Sequence, residues 1–286
     1  MTKSCLKFNF IRALFCAGAL VLACGQGARA YVMGQDDRAP VSAEEEKQPE
    51  IAQIGVIETR DGGYVTGILT GANCDVVISA GHAAYYWRDN PGLNQRAGAL
   101  RGGGNFSFRL DPAHSTTRFD MQLVASGLTD AAQFDDDSND WSIFRLLHPA
   151  LARCKTIAFI RDTGQCHGQV SMPGYHFDRR DTLLVDRSCA IKDTLNHALL
   201  IHDCDSKDGS SGAPLYCREA AGLKLLGINI SGITLKEWVD PGDYGKQSMA
   251  FDYKSHKNYA VAVHGDFLRA LEAEMRASAQ RSPQHQ

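Results

Sequence analysis

What most constrains this chain is a long succession of short apolar runs, each bounded by glycine, asparagine or aspartate. Ile54–Ile57, Tyr64–Leu69, Val76–Ala80, Phe106–Leu110, Met121–Ala125 and Trp141–Leu146 make up a first set. Thr156–Ile160, Gln169–Met172, Thr182–Val185, Ala198–Ile201, Ala213–Tyr216, Leu223–Ile230 and Tyr259–Val263 make up a second. Short runs with turn residues between them predict an all-β barrel or sandwich. The stretch from Gly265 to Ala279 differs, because Phe267, Leu268, Leu271 and Met275 recur at helical spacing; it reads as a C-terminal amphipathic helix. A 286-residue chain with 44% hydrophobic and 22% charged residues buries a real core. That composition excludes disordered, collagen-like and multi-span membrane classes, and the length suits one two-lobed domain or two modest ones.

The first thirty residues stand apart. Lys3, Lys7 and Arg12 precede an apolar run from Ala13 to Ala23, and Ala28-Arg29-Ala30 follows. This is the order of a secretory signal peptide, and the run is short for a membrane span, so no stable span is expected. Leu22-Ala23-Cys24 leaves a lipid-anchored form open, but Leu22 fits that signal poorly, and cleavage after Ala30 is the reading. Losing residues 1–30 leaves 26 basic against 33 acidic residues, a net charge of −7, with no basic excess to meet nucleic acid. Six cysteines remain (Cys74, Cys154, Cys166, Cys189, Cys204 and Cys217). An even count in an exported chain favours disulfides, and the absence of any CxxC pair weakens a metal reading. No metal and no cofactor are expected. Residues 31–50, polar and acidic with Asp36-Asp37-Arg38 and Glu44-Glu45-Glu46, read as an N-terminal arm or pro-segment and not as core.

Three segments carry candidate chemistry. In Ser79-Ala80-Gly81-His82 a β-branched strand runs into small residues that leave an imidazole room to turn toward a cleft. In Asn139-Asp140-Trp141-Ser142-Ile143 an aspartate opens an alternating strand, and a carboxylate at a core edge needs a donor such as an imidazole N–H. Asp135-Asp136-Asp137 just upstream reads as a solvated turn; a calcium loop there lacks the glycine and terminal glutamate of an EF-hand. In Asp208-Gly209-Ser210-Ser211-Gly212-Ala213-Pro214 a tight small-residue turn carries a serine at its apex. The amides of Gly209 and Ser211 are the expected donors to a developing oxyanion. Each segment alone has a bland reading: a structural histidine, a surface loop, a Gly/Ser turn.

Together, in the order His82, Asp140, Ser211, they resemble the trypsin-like (chymotrypsin-fold) serine peptidases. Gly67-Ile68-Leu69 ahead of the histidine and Gly227-Ile228-Asn229-Ile230-Ser231-Gly232 after the serine also fit, and the resemblance covers roughly residues 51 to 275. Met33-Gly34-Gln35-Asp36-Asp37-Arg38 is similar to the arm of the bacterial glutamyl-endopeptidase-like branch. The resemblance implies two six-stranded antiparallel barrels, one over 51–158 and one over 159–286 with the C-terminal helix, and a site between them. It implies a serine endopeptidase acting on protein or peptide substrates through an acyl-enzyme, with His82 as base, Asp140 as its orienter and Ser211 as nucleophile. A non-catalytic relative that binds a protein partner is the alternative. An α/β-hydrolase esterase is disfavoured, since that class places serine before histidine in a GxSxG elbow.

The resemblance also implies that Cys217, six residues after Ser211, is bridged, with Cys166 its expected partner. Cys189 with Cys204 and Cys74 with Cys154 are the further expected pairs, although six cysteines allow 15 pairings. Asn229, Ser231 and Gly232 are implied to line the substrate cleft. Asn229 stands where glutamyl endopeptidases carry a histidine, which weakens a preference for Glu. Asp205, six residues before Ser211, has two readings: a pocket-base carboxylate that selects Lys or Arg, or a structural aspartate beside Cys204. Ser210 replaces the usual aspartate that receives a freed N-terminal amine, and Ala83 replaces a cysteine. Tyr85, Tyr86 and Trp87 read as packing or cleft wall. The remaining histidines (His114, His148, His167, His176, His197, His202, His256, His264 and His285) read as surface or structural.

Overall fold

A computed structural model describes residues 31–86, 96–128, 136–151, 153–230 and 257–281. The expected signal peptide over 1–30 lies outside the described residues, as do Trp87, Asp135, Ser231, Gly232, His256 and His285. The chain begins with a two-residue strand β1 (Ala39–Pro40) and two helical turns, α1 (Ala43–Glu46) and α2 (Pro49–Ala52). Six strands follow: β2 (Ile54–Thr59), β3 (Tyr64–Thr70), β4 (Val76–Ser79), β5 (Phe106–Leu110), β6 (Phe119–Ser126) and β7 (Ser142–Leu146). They form a closed barrel in the order β2-β3-β4-β7-β6-β5. Closure is by the β2 to β5 ladder, from Gly55 opposite Leu110 to Thr59 opposite Phe106. Gly55 is required there, because a Cβ would come within 2.5 Å of the Phe108 ring and 2.6 Å of the Arg109 carbonyl. Alternate residues of the strands point inward and pack Ile57, Val65, Leu69, Val77, Phe108 and Phe144 into one apolar cluster.

The second half contains β8 (Gln169–Tyr175), β9 (Leu183–Asp186), β10 (Ile191–Leu195), β11 (Leu199–His202), β12 (Pro214–Glu219), β13 (Gly222–Asn229) and β14 (Asn258–Ala262). With β1 these form one antiparallel sheet of eight strands, ordered β1-β9-β8-β12-β13-β14-β11-β10. The all-β class with a C-terminal helix is as expected, but this half does not close by strand ladders among the described residues. Contact between β9 and the segment after β11 stands where a closing ladder would: the Asp205 N–H donates to the Asp186 carboxylate at 2.8 Å. The Cys189–Cys204 disulfide staples the β10–β11 hairpin, next in register to Ile191 opposite His202. Thr156–Ile160, expected as a strand, makes only an isolated bridge of Phe159 to Leu225. β10 was not expected, since Lys192 and Asp193 break its apolar pattern; it is an exposed edge strand.

The arm is not peripheral, contrary to its polar reading. Ala39 and Pro40 pair with Val185 and Leu184 of β9, and Val32, Arg38 and Val41 are buried. Arg38 is sandwiched between the carboxylates of Asp36 and Asp178, each 2.8 Å from Nη2. Ion pairing makes such burial affordable, and the acidic residues that made the arm look solvated are the counter-charges. Glu45 likewise pairs with Arg187 of the second half.

The C-terminal helix α3 (Gly265–Gln280) buries Phe267, Leu271, Glu274 and Ser278, one face at i, i+4, i+7 and i+11. Phe267 stacks on Trp141 with centroids 5.2 Å apart, and Glu274 takes a two-pronged bond from Arg145 of β7. Leu268 and Met275 are only partly buried, because the helix packs on a polar barrel rim and not on a purely apolar surface. The disulfides are Cys74–Cys154, Cys166–Cys217 and Cys189–Cys204, as the resemblance implied. Three of them fit an oxidising compartment such as the extracellular space or periplasm. Among the described residues no helix is long and apolar enough to cross a membrane.

Candidate active site

β4 and β7 are neighbours, with Ser79 opposite Ser142. The chain leaving β4 and the chain entering β7 therefore meet at one end of the barrel. A tight helical turn over Gly81–Ala83 presents His82, and a second over Asp137–Asn139 ends at Asp140. Two bonds lock them together. The His82 backbone N–H donates to Asp140 Oδ1 at 2.7 Å, and His82 Nδ1 lies 2.7 Å from Asp140 Oδ2. A carboxylate only accepts, so Nδ1 carries the hydrogen and Nε2 is left as the basic nitrogen. The imidazole is 8% exposed. Ser142 Oγ donates to the Ala80 carbonyl at 2.7 Å and braces the histidine turn. Asp136 caps the upstream turn by accepting the Ser138 N–H; no metal-holding cluster is present among the described residues.

The serine turn comes from the second half and is held against the first. Gly209 and Gly212 have φ of +96° and +83°, conformations that an L side chain rarely adopts. A Cβ on Gly212 would also sit 2.1 Å from both Ser79 Oγ and the Thr66 carbonyl. Thr66 of β3 donates its N–H to the carbonyls of Gly209 at 3.0 Å and Ser211 at 2.8 Å. Ser79 belongs to the same Ser79–His82 segment, so this contact brings Ser211 to the His82 end of the barrel. Ser211 is 6% exposed, and its hydroxyl makes no hydrogen bond with a described residue. Such bonds are often long in a free enzyme and tighten around substrate. Within the turn, the amides of Ser210, Gly212 and Ala213 are taken by the carbonyls of Lys207, Asn229 and Ser210. Those of Gly209 and Ser211 have no acceptor among the described residues. These are the two amides the sequence singled out.

The expected specificity residues fare differently. Asp205 is 1% exposed; its oxygens accept the arm's Met33 N–H at 2.6 Å and Asp37 N–H at 2.7 Å. Of its two readings, this is the structural one, and burial pushes its carboxyl up to about 6. Asn229 is wholly buried with its amide directed at Ser206 and Ser210, so it does not line a cleft, contrary to expectation. Its neighbours in that argument, Ser231 and Gly232, lie outside the described residues. Tyr86 donates to Asp61 at 2.8 Å, and Asp61 also pairs with Arg101, whose Nη1 lies 3.4 Å from the His82 carbonyl.

Three further residues sit around the site, among them His176 and His202, which the sequence gives only as surface or structural. His202 is fully buried beside Asn229, and Ser206 shares a hydroxyl contact with Ser210. His176, between Tyr175 and the Phe177 whose amide bonds Asp208, is wholly buried. Burial holds its imidazole down at about 3 and that of His202 at about 4. No local signal distinguishes these histidines from exposed ones such as His114, because burial comes from segments distant in the chain.

No family model and no curated protein matches the chain. Solved structures do. A Glu endopeptidase determined in complex with MPD has a TM-score of 0.59 at 15% identity, covering 87% of this chain and 100% of that one. The protease Anisep from Arthrobacter nicotinovorans has a TM-score of 0.53 at 16% identity, over 80% of this chain and 98% of that one. A thermostable serine protease, AL20, from an extremophilic microorganism gives 0.51 at 17%, over 82% and 100%. At these identities the shared property is the fold, which is that of the chymotrypsin-like serine proteases.

Proposed function

We propose that the chain is an exported serine endopeptidase that cleaves peptide bonds in protein or peptide substrates. One observation carries this reading: Asp140 grips both the backbone and the ring of His82, while the amides of Gly209 and Ser211 have no acceptor among the described residues. The chemistry follows from those groups. A serine hydroxyl is a weak nucleophile until a base takes its proton. His82 Nε2 accepts that proton as Ser211 Oγ attacks the scissile carbonyl, and Asp140 stabilises the imidazolium that results. The carbonyl oxygen, now negative, accepts from the Gly209 and Ser211 amides. His82 then protonates the departing amine, and water repeats the sequence to release the acyl-enzyme. With Asp205 committed to the arm, a preference for Lys or Arg loses the residue that argued for it.

Cleavage of the signal peptide after Ala30 and passage to the periplasm or exterior belong to the same reading, supported by the leader's pattern and the three disulfides. The test is labelling by a fluorophosphonate probe together with hydrolysis of a mixed peptide library by the folded protein. Both are expected to vanish in Ser211→Ala. Folded wild-type protein that neither labels nor cleaves overturns the proposal. It would favour the non-catalytic, partner-binding alternative.

A further inference from the structure

The residue before the nucleophile, Ser210, has no charge to pair with a freed N-terminal amine. It is nevertheless completely buried, and its polar atoms are satisfied. Ser210 Oγ lies 2.6 Å from Ser206 Oγ and 3.0 Å from Asn229 Nδ2. Asn229 Nδ2 also approaches the Ser210 carbonyl at 3.1 Å and Ser206 Oγ at 3.1 Å. The Asn229 backbone adds two further bonds: its carbonyl accepts from Gly212 at 2.6 Å, and its N–H donates to Ala213 at 2.7 Å. One residue thus holds the turn on both sides of Ser211.

The direction of Asn229 is itself determined. The Cys204 N–H donates to His202 Nδ1 at 3.2 Å, so Nδ1 is unprotonated and Nε2 carries the hydrogen. Nε2 lies 3.2 Å from Asn229 Oδ1, which must then accept, and this turns the NH2 group toward Ser210. Cys204 is anchored by its disulfide and by Asn258 Nδ2, which donates to its carbonyl at 2.8 Å. Every member of the chain is neutral. A buried carboxylate at position 210 would need a counter-charge to offset its desolvation; a serine does not.

We infer that Asn229, oriented by His202 and shared with Ser206, is a positioning residue that holds the Gly209 and Ser211 amides ready for an oxyanion. The inference rests on the serine-peptidase reading. In kinetics on a peptide substrate, Asn229→Ala is expected to lower kcat about 10²-fold with KM changed less than about 3-fold, the signature of a lost transition-state arrangement. Ser206→Ala, which removes one link, is expected to lower kcat less. Full kcat in folded Asn229→Ala overturns the inference.

Amide hydrogen exchange across 207–213 separates this inference from the parent reading. If wild-type protein fails to label, the peptidase reading falls, and exchange alone decides the network. Exchange about tenfold faster in Asn229→Ala than in wild type sustains it, and unchanged exchange ends it. Should Asn229→Ala not fold, Ser206→Ala is compared in the same two ways, with unchanged kcat and exchange counting against the network.

Discussion

The two halves of the molecule close in different ways. The first is a barrel sealed all round by backbone ladders, with an interior of Ile57, Leu69, Val77, Phe108 and Phe144. The second is an open sheet of eight strands in which the N-terminal arm and an Asp186 to Asp205 contact tie β9 to the segment after β11. Backbone ladders satisfy their own polar groups and leave the interior to hydrocarbon. Both halves bury polar side chains that must each find a partner: Thr66, Thr70, Asp75, Ser79 and Ser142 in the first, and His176, Asp186, His202, Asp205, Ser206, Ser210 and Asn229 in the second. In the proposed chemistry the first half supplies an oriented base, and the second supplies the nucleophile on a turn that a polar network shapes.

The largest expected effect tests whether chemistry needs both halves. Ser211→Ala should lower kcat by roughly 10⁶, and Asp140→Asn by roughly 10⁴, with thermal unfolding unchanged. Steady-state kinetics on folded variants checks both, and a residual rate near wild type in either would confine the site to one half.

Disulfide removal compares the two halves directly. Chain entropy alone assigns about 4.5 kcal/mol to the Cys74–Cys154 pair, separated by 80 residues, and about 3 kcal/mol to Cys189–Cys204, separated by 15. In urea unfolding Cys74→Ser/Cys154→Ser should therefore lose more than Cys189→Ser/Cys204→Ser. The reverse order would show that the open sheet depends on its β10–β11 staple beyond the loop it closes.

Asp205→Ala leaves the partly buried Met33 and Asp37 amides without their acceptor. At about 1 kcal/mol for each hydrogen bond lost, the cost should be about 2 kcal/mol, and limited proteolysis should cut the arm first. An arm that stays protected would show that β1 and Arg38 suffice to hold it.

The smallest effect is on pH dependence, where opposing contributions partly cancel. His176 and His202 have folded-state values lowered to about 3 and about 4. Below the ordinary imidazole value the unfolded chain binds protons that these rings refuse, so they make stability rise with pH from about 4 to 6.5. Asp205 acts in the opposite sense. Its folded-state value, raised to about 6, favours the folded state at low pH, and that contribution is lost as pH rises from about 4 to 6. Two histidines against one aspartate should leave a net gain in stability toward neutrality. Urea midpoints between pH 4.5 and 7 check this, and His202→Gln should flatten the slope; a steeper slope would reverse the assigned sign.

Legibility in the sequence divides along the same line. The strands β2 to β7 lie within one or two residues of the apolar runs for most of their length, because a barrel with an apolar interior writes its period into each strand. His82, Asp140 and Ser211 are legible because small residues and turns must surround them. β10, with Lys192 and Asp193 exposed, carries no clean period, and Thr156–Ile160 is apolar without being a strand, since its partners are loop contacts to Leu225. Asp205 and Asn229 have the right positions for a pocket but opposite surroundings from those a pocket requires. Nothing near them in the chain reveals that the arm and the serine turn consume their polar atoms.

The sequence by itself determined the class of fold, the cysteines available for pairing, and the three side chains that the proposed chemistry uses. All of these are written locally, in periodicity, turn residues and short motifs. Tertiary structure decided where the arm goes, what Asp205 does and how the serine turn is held. Those answers depend on pairs such as Tyr31 with Asn258, 227 residues apart, whose hydrogen bonds exist only after burial has removed water as the competing partner.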